Sequence, residues 1–247
     1  MIKKCLTIAG SDSSGGAGVQ ADLKTFSALG TYGMSCICAL TAQNTQGVDK
    51  VENVSQAMIR GQLAAIYSDI VPDAVKTGML SCRGTVETVA GFLESHNQAP
   101  LVVDPVMVAT TGARLLDEEA IISYKERLIP LATLVTPNIP EAEVLSGMAI
   151  HTEEDMKQAA EKIMGMGPKA VLIKGGHKVH DATDFLYDGE TFHVLRGEKI
   201  DTENTHGTGC TLSSALAVYL AQGYSVVRAA ALAKKYLTGA IRKAAVE

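Results

Sequence analysis

The sequence lacks any surplus of positive charge: 22 Lys and Arg stand against 27 Asp and Glu, a net charge of −5. Without a basic field, nothing draws in nucleic acid or an anionic lipid surface. The sequence also lacks finger-like cysteine pairs. Cys5, Cys36, Cys38, Cys82 and Cys210 are odd in number, and the one close pair, Cys36-Ile37-Cys38, sits in an apolar run. That pattern fits reduced, buried thiols in a cytosolic protein rather than disulfides or a zinc site. A long hydrophobic run is missing too: after Lys3 and Lys4 the apolar stretch ends at Ala9, too short for a signal peptide or a membrane span. A cytoplasmic location with no membrane partner is expected. No repeat, low-complexity block or proline-rich linker divides the chain, so one domain over residues 1–247 is expected. A composition of 47% hydrophobic and 20% charged residues suits a globular core of that size.

What is present is an alternation of short apolar runs with helical patterns. Residues 6–9, 34–40, 74–75, 101–103, 134–135 and 171–173 read as buried strands, and residues 184–188 and 191–195, split by Gly189, as a late hairpin. Between them Ile59, Leu63, Ile66 and Ile70 recur at helical spacing, as do Val86, Val89 and Leu93, then Met156, Ala160 and Ile163. Two further helices are expected over about 208–221 and 225–241, and the first, apolar on most faces, should be buried. The order predicts an α/β fold, doubly wound around a mostly parallel central sheet with helices on both faces.

Several of these strands end abruptly in glycine or in polar residues. Residues 6–9 run into Gly10-Ser11-Asp12, 101–103 into Asp104, 134–135 into Thr136-Pro137-Asn138, and 171–173 into Lys174-Gly175-Gly176. Chains leaving any sheet need polar turns, but in a parallel sheet these carboxyl ends share the edge where open α/β proteins bind ligands. Together they predict one site.

The first loop, Gly10-Ser11-Asp12-Ser13-Ser14-Gly15-Gly16-Ala17-Gly18, leaves a strand and enters a helix, and its small residues let backbone approach a ligand. It is not a P-loop, because Val19 and Gln20 follow the last glycine where Lys and Ser or Thr are required. Gly16-x-Gly18-x-x-Ala21 matches a loose dinucleotide fingerprint, yet Thr41-Ala42-Gln43-Asn44 offers no acid for a ribose, which weakens a nicotinamide-binding reading. Asp22, on the first turns of the helix, reads on its own as a surface carboxylate near the positive end of the dipole, and Gln43 as a loop residue.

A second glycine-rich turn, Thr205-His206-Gly207-Thr208-Gly209-Cys210-Thr211-Leu212, opens the buried helix with amides able to hold developing phosphate charge. At that position the dipole favours the thiolate of Cys210, making it a candidate base; it is equally well read as a small buried hydrophobe. His206 reads as a structural turn residue. Glu141, in Asn138-Ile139-Pro140-Glu141, either balances a helix dipole or positions magnesium, a hard cation that takes carboxylates, waters and phosphate oxygens.

These residues resemble the hydroxymethylpyrimidine and hydroxymethylpyrimidine-phosphate kinases of thiamine synthesis, within the ribokinase-like superfamily. The resemblance runs from about Leu6 to the end of the chain. Its six segments, in order, are residues 9–25, Thr41-Ala42-Gln43-Asn44-Thr45, Lys76-Thr77-Gly78-Met79-Leu80, Val103-Asp104-Pro105-Val106-Met107, Thr136-Pro137-Asn138 with Glu141, and His206-Gly207-Thr208-Gly209-Cys210-Thr211. The family implies that Asp22 and Gln43 hydrogen-bond an aminopyrimidine ring packed by Gly10, Ala17, Met79 and Val106. It implies Asp104 and Glu141 near magnesium and the phosphates of ATP, with Asn138 and Lys174 beside them. Gly207, Thr208 and Gly209 become the anion hole and Cys210 the base.

Many ribokinase relatives carry aspartate in place of Cys210, so the cysteine narrows the match to the pyrimidine and pyridoxal branch, and Gln43 favours the pyrimidine enzyme. Relatives extend past the last helix into a glycine- and histidine-containing tail, where this sequence stops at Glu247. The expected activity is transfer of the γ-phosphate of ATP to the hydroxymethylpyrimidine and then to its monophosphate, by a homodimer as in relatives. Residues 109–114, just after Asp104, read as a lid over ATP or as an ordinary surface loop. The alternatives are a pyridoxal kinase of the same fold, a nicotinamide-dependent oxidoreductase and a nucleotide-binding regulator without turnover.

Overall fold

Alternate residues of each central strand supply two separate cores. Leu6, Ile8, Val75, Leu101, Val103, Val135, Val171 and Ile173 face one, while Cys5, Ala74, Val102, Leu134 and Leu172 face the other. This is the period-2 geometry of a strand covered on both sides. A computed structural model describes residues 1–107, 116, 118–175, 182–198, 200–202 and 204–244. In it one nine-stranded sheet is built from β1 (Lys4–Asp12), β2 (Tyr32–Gln43), β3 (Val48–Asn53), β4 (Ala74–Thr77), β5 (Leu101–Val103), β6 (Leu134–Val135), β7 (Val171–Ile173), β8 (Asp184–Tyr187) and β9 (Phe192–Leu195), in the order β3-β2-β1-β4-β5-β6-β7-β8-β9. The pairs from β2 to β7 are parallel; β3, β8 and β9 join antiparallel at the edges. The doubly wound, mostly parallel sheet is therefore present, and chain order reverses between β1 and β4, the switch point where such sheets open a crevice.

The helices are α1 (Gly18–Ala28), α2 (Gln56–Tyr67), α3 (Arg83–His96), α4 (Glu118–Ser123), α5 (Ile139–Ser146), α6 (Glu153–Met164), α7 (Thr208–Ala221) and α8 (Val226–Arg242). Helices α1, α7 and α8 cover one face; α2, α3, α5 and α6 cover the other. The expected helical stripes face the core as read, with Ile66 only partly buried and α2 ending at Tyr67, which leaves Ile70 beyond it. As expected, α7 is buried over most of its length. Four elements have no counterpart in the sequence reading: the edge strand β3, helix α4, and the π turn (Tyr124–Leu128) and 3-10 turn (Ile129–Leu131) that follow it.

Candidate active site

A cavity of about 690 Å³ opens along the carboxyl ends of β1, β2, β4, β5, β6 and β7 and the amino end of α7. Apart from Asp22, every residue expected in the site borders it. At one end lie Gly10, Ala17, Gln43, Met79 and Val106. The Gly10 amide donates to the Met79 carbonyl (3.1 Å), tying the end of β1 to the loop after β4. Gln43 accepts from the Thr41 hydroxyl (3.0 Å), which orients its side-chain amide at the end of β2.

Asp22 requires a correction. It is neither a surface carboxylate nor a wall of the cavity: it is fully buried, and its oxygens accept from Thr7 (2.6 Å), Ser214 (2.6 Å) and Lys76 Nζ (2.8 and 2.9 Å). Helix α7 lies over α1 and closes solvent away from that face of α1. The ring contact that the family resemblance implies for Asp22 has no free oxygen to serve it; Lys76, on the cavity side of the pair, borders the space instead.

At the other end, Asp104 accepts from Lys174 Nζ (2.9 Å), Thr136 Oγ1 (3.2 Å) and Ser213 Oγ (3.0 Å). Burial alone would raise its pKa; the ammonium groups of Lys174 and Lys76, with these hydrogen bonds, outweigh burial and hold it below the usual carboxylate range. Lys174 is shifted upward, since Asp104 and Glu141 outweigh its own desolvation. Glu141 responds in the opposite sense: burial pushes it up to about 7, with Asp104 adding to the rise and Lys174 opposing it. Asn138 and Glu141 also form a reciprocal cap at the start of α5, Glu141 N donating to Asn138 Oδ1 (2.9 Å) and Asn138 N to Glu141 Oε2 (2.8 Å). Glu141 thus serves the helix end, as its simpler reading had it, while bordering the cavity.

Between the two ends, Gly207, Thr208, Gly209 and Cys210 begin α7. Gly207 has φ +78°, and a Cβ there would lie 1.7 Å from the Gly16 carbonyl oxygen, so only glycine lets the two glycine-rich turns meet. The expectation that the helix start favours a Cys210 thiolate is not met in this arrangement. Burial pushes the thiol up to about 11; Lys76 and a hydrogen bond from the Gly18 amide act downward, whereas Asp22 and Asp104 act upward.

Three site features were given no role by the sequence reading, although Asp12 and Lys76 stand in the motifs it singled out. Lys76 had as its signal a charged residue closing an apolar strand. Asp12, at the end of β1, accepts from His206 Nε2 (2.8 Å), the Ala17 amide (2.8 Å) and Ser14. This gives His206 the structural role its turn position suggested. At the far side of the cavity Lys234 of α8 binds Asp184, which in turn accepts from the Gly175 amide (3.0 Å). The supposed lid at 109–114 lies outside the described residues, as do Gly176 and Glu247.

Asp104 and Glu141 offer oxygen donors of the kind magnesium takes. Among the described residues no cluster of three or more His, Cys, Asp or Glu side chains forms a metal cage, so the donor set suits an ion that fills its remaining positions with water and phosphate oxygens.

Comparison with known proteins shows the family of the chain. The family model of phosphomethylpyrimidine kinase matches residues 12–247. The chain is 52% identical to a hydroxymethylpyrimidine/phosphomethylpyrimidine kinase of Rhizobium meliloti, over 99% of this chain and 92% of that protein. It is 53% identical to the thiamine biosynthesis bifunctional protein of Geobacter sulfurreducens over 97% of this chain, and spans about half (49%) of that longer protein. A crystal structure of phosphomethylpyrimidine kinase from Clostridium difficile superposes with a TM-score of 0.87 at 50% identity, covering 97% of this chain and 99% of that one. The pyridoxal kinase of Staphylococcus aureus in complex with AMP-PCP and pyridoxal gives a TM-score of 0.91 at 39% identity, covering 98% and 89%.

Proposed function

The chain belongs to the phosphomethylpyrimidine kinase family, and we propose how its cavity divides the work of that chemistry. It phosphorylates 4-amino-5-hydroxymethyl-2-methylpyrimidine with ATP, first to the monophosphate and then to the diphosphate, in thiamine biosynthesis. The observation that carries the division of labour is the convergence of six strand ends and the α7 start on one cavity, with small and apolar residues at one end and Asp104, Lys174 and Asn138 at the other. The first end suits a flat heterocycle: Gly10, Ala17, Met79 and Val106 pack its faces, and the amide of Gln43 reads its edge. The second end suits the ATP phosphates.

Phosphoryl transfer asks for alignment and charge neutralisation more than for covalent help. Lys174 supplies positive charge beside the phosphates, and the amides of Gly207, Thr208 and Gly209 hold the transferring group from the start of α7. The hydroxymethyl oxygen forms the new bond to phosphorus as the bridge to ADP breaks, and Cys210, once its own proton has passed to water, takes the hydroxyl proton as the thiolate. Magnesium, placed by Asp104 and Glu141 through water and phosphate oxygens, would neutralise phosphate charge. Asp22 supports the floor of the site rather than the ring.

Residues 1–247 act as one catalytic domain in this reading; strands from Lys4 to Leu195 share the sheet, and α7 and α8 pack back on it. Exposed Leu40 and Val51 on the edge pair β2–β3 favour a homodimer, and five free cysteines suit the cytoplasm. Product analysis with ATP and the pyrimidine alcohol tests the activity. Both phosphates should appear in succession, and pyridoxal should be the poorer acceptor; monophosphate alone, or a preference for pyridoxal, overturns this reading.

A further inference from the structure

The buried pair Asp22–Lys76 has an orientation that the assigned chemistry does not use. Both side chains are fully buried, yet only the lysine borders the cavity. Two of the three ammonium protons of Lys76 go to Asp22 (2.9 and 2.8 Å); the third has no partner among the described residues. The aspartate is held behind it by Thr7 and Ser214, so a positive pole faces the site and a negative one is tucked under α1.

Helix α7 aligns this pole with the reacting end. Ser214 touches Asp22 (2.6 Å), and Cys210 lies one turn earlier on the same helix face. On the other flank of that helix start stand Asp104 and Lys174, which pair with each other (2.9 Å). Lys76 and Lys174 both act electrostatically on Cys210, and Lys76 is the one whose carboxylate partner is held by the same helix.

We propose that Lys76, oriented by Asp22, is a positioning residue that supplies the fixed positive charge against which Cys210 becomes a thiolate and accepts the acceptor hydroxyl's proton. The step balances when Cys210 enters it as the thiolate, its own proton having passed to solvent water before the substrates close the site: the S–H bond forms as the O–H bond breaks, the oxygen's electron pair forms the bond to phosphorus, and ADP leaves with the pair of the broken bridge. In a site closed to water a single oriented ammonium acts strongly. Of the groups around Cys210, Lys76, Lys174 and the Gly18 amide favour the anion, whereas Asp22, Asp104 and burial oppose it.

The inference rests on the base role given to Cys210, but its test reads the sulfur directly. The rate of Cys210 alkylation by iodoacetamide, located by peptide mass, is followed from pH 7 to pH 10 in the parent protein, in Lys76→Gln and in Asp22→Asn, with folding checked by circular dichroism. Lys76→Gln removes the cation, whereas Asp22→Asn removes the opposing anion and keeps the lysine, so the two shifts have opposite signs. We expect the pH profile to move up by about one unit in Lys76→Gln, which is about a tenfold slower reaction at a given pH, with turnover falling and little change in KM for the pyrimidine, and to move down in Asp22→Asn. An unchanged alkylation profile in either folded variant overturns the proposal. Normal turnover in Cys210→Ala would remove the base role while leaving the sulfur measurement able to report on Lys76.

Discussion

Two aspartate–lysine pairs flank the start of α7, and they differ in what surrounds them. Asp22–Lys76 is closed: 0% of either side chain is exposed, and hydroxyls of Thr7 and Ser214 complete the carboxylate. Asp104–Lys174 is open to the cavity, with the lysine 16% exposed and a second carboxylate, Glu141, nearby. A sealed pair cannot trade partners, so it contributes shape and a fixed field. An open pair can exchange one charge for a ligand's, which is what phosphate binding needs. The same two residue types thus become framework in one place and binding equipment a few residues along the sheet edge.

The sharpest way to break this comparison is to remove both lysines in turn. Lys76→Met strands a carboxylate in the core and should cost about 3–5 kcal/mol of stability, measured by urea unfolding. Lys174→Met should lower turnover by about 10²–10³-fold while costing about 2 kcal/mol or less, because Asp104 keeps Thr136 and Ser213 and faces the cavity. Equal stability losses in the two variants would erase the distinction between sealed and open pairs.

A third aspartate sharpens it by pH. Burial alone would raise Asp12, but His206, the Ala17 amide and Ser14 outweigh it and hold the carboxyl below its usual value. A carboxylate depressed in the folded state adds stability above its unfolded pKa and loses it as pH falls through the folded one. Asp12→Asn should therefore flatten the acid limb of the stability curve below about pH 4, and leave it unchanged near neutrality apart from a constant offset. An unaltered acid limb would mean that the Asp12–His206 contact carries no pH-dependent stability.

The smallest effect serves as a control outside both pairs. Thr152 caps α6 by accepting from the Asp155 amide (3.1 Å), on the sheet face opposite α7. Thr152→Ala should cost about 1 kcal/mol and leave turnover unchanged in a coupled assay. A loss of turnover there would show that α6 reaches the site.

Much of the fold was legible because its signals are local. The strands at 101–103, 134–135 and 171–173 coincide with β5, β6 and β7, since a strand covered on both faces is apolar throughout. Strands β1 and β2 run on past their apolar stretches: Gly10, Ser11 and Asp12 keep their ladder with Ala39, Leu40 and Thr41. Strand β3, Val-Asp-Lys-Val-Glu-Asn, was illegible because an exposed edge needs no apolar face and is charged to resist further pairing. The site was legible as motifs, but Asp22 was not: its partners lie 15, 54 and 192 residues away.

The sequence by itself determined the alternation of strands and helices, the glycine-rich turns, the polar residues at strand ends and the family to which they belong, because each is written in neighbouring residues. Tertiary structure alone decided which aspartate is sealed and which is open, that Lys76 stands between Asp22 and the cavity, and that burial and Lys76 pull the Cys210 thiol in opposite directions. Charge state depends on what packs around a group, and packing joins residues that the chain keeps far apart.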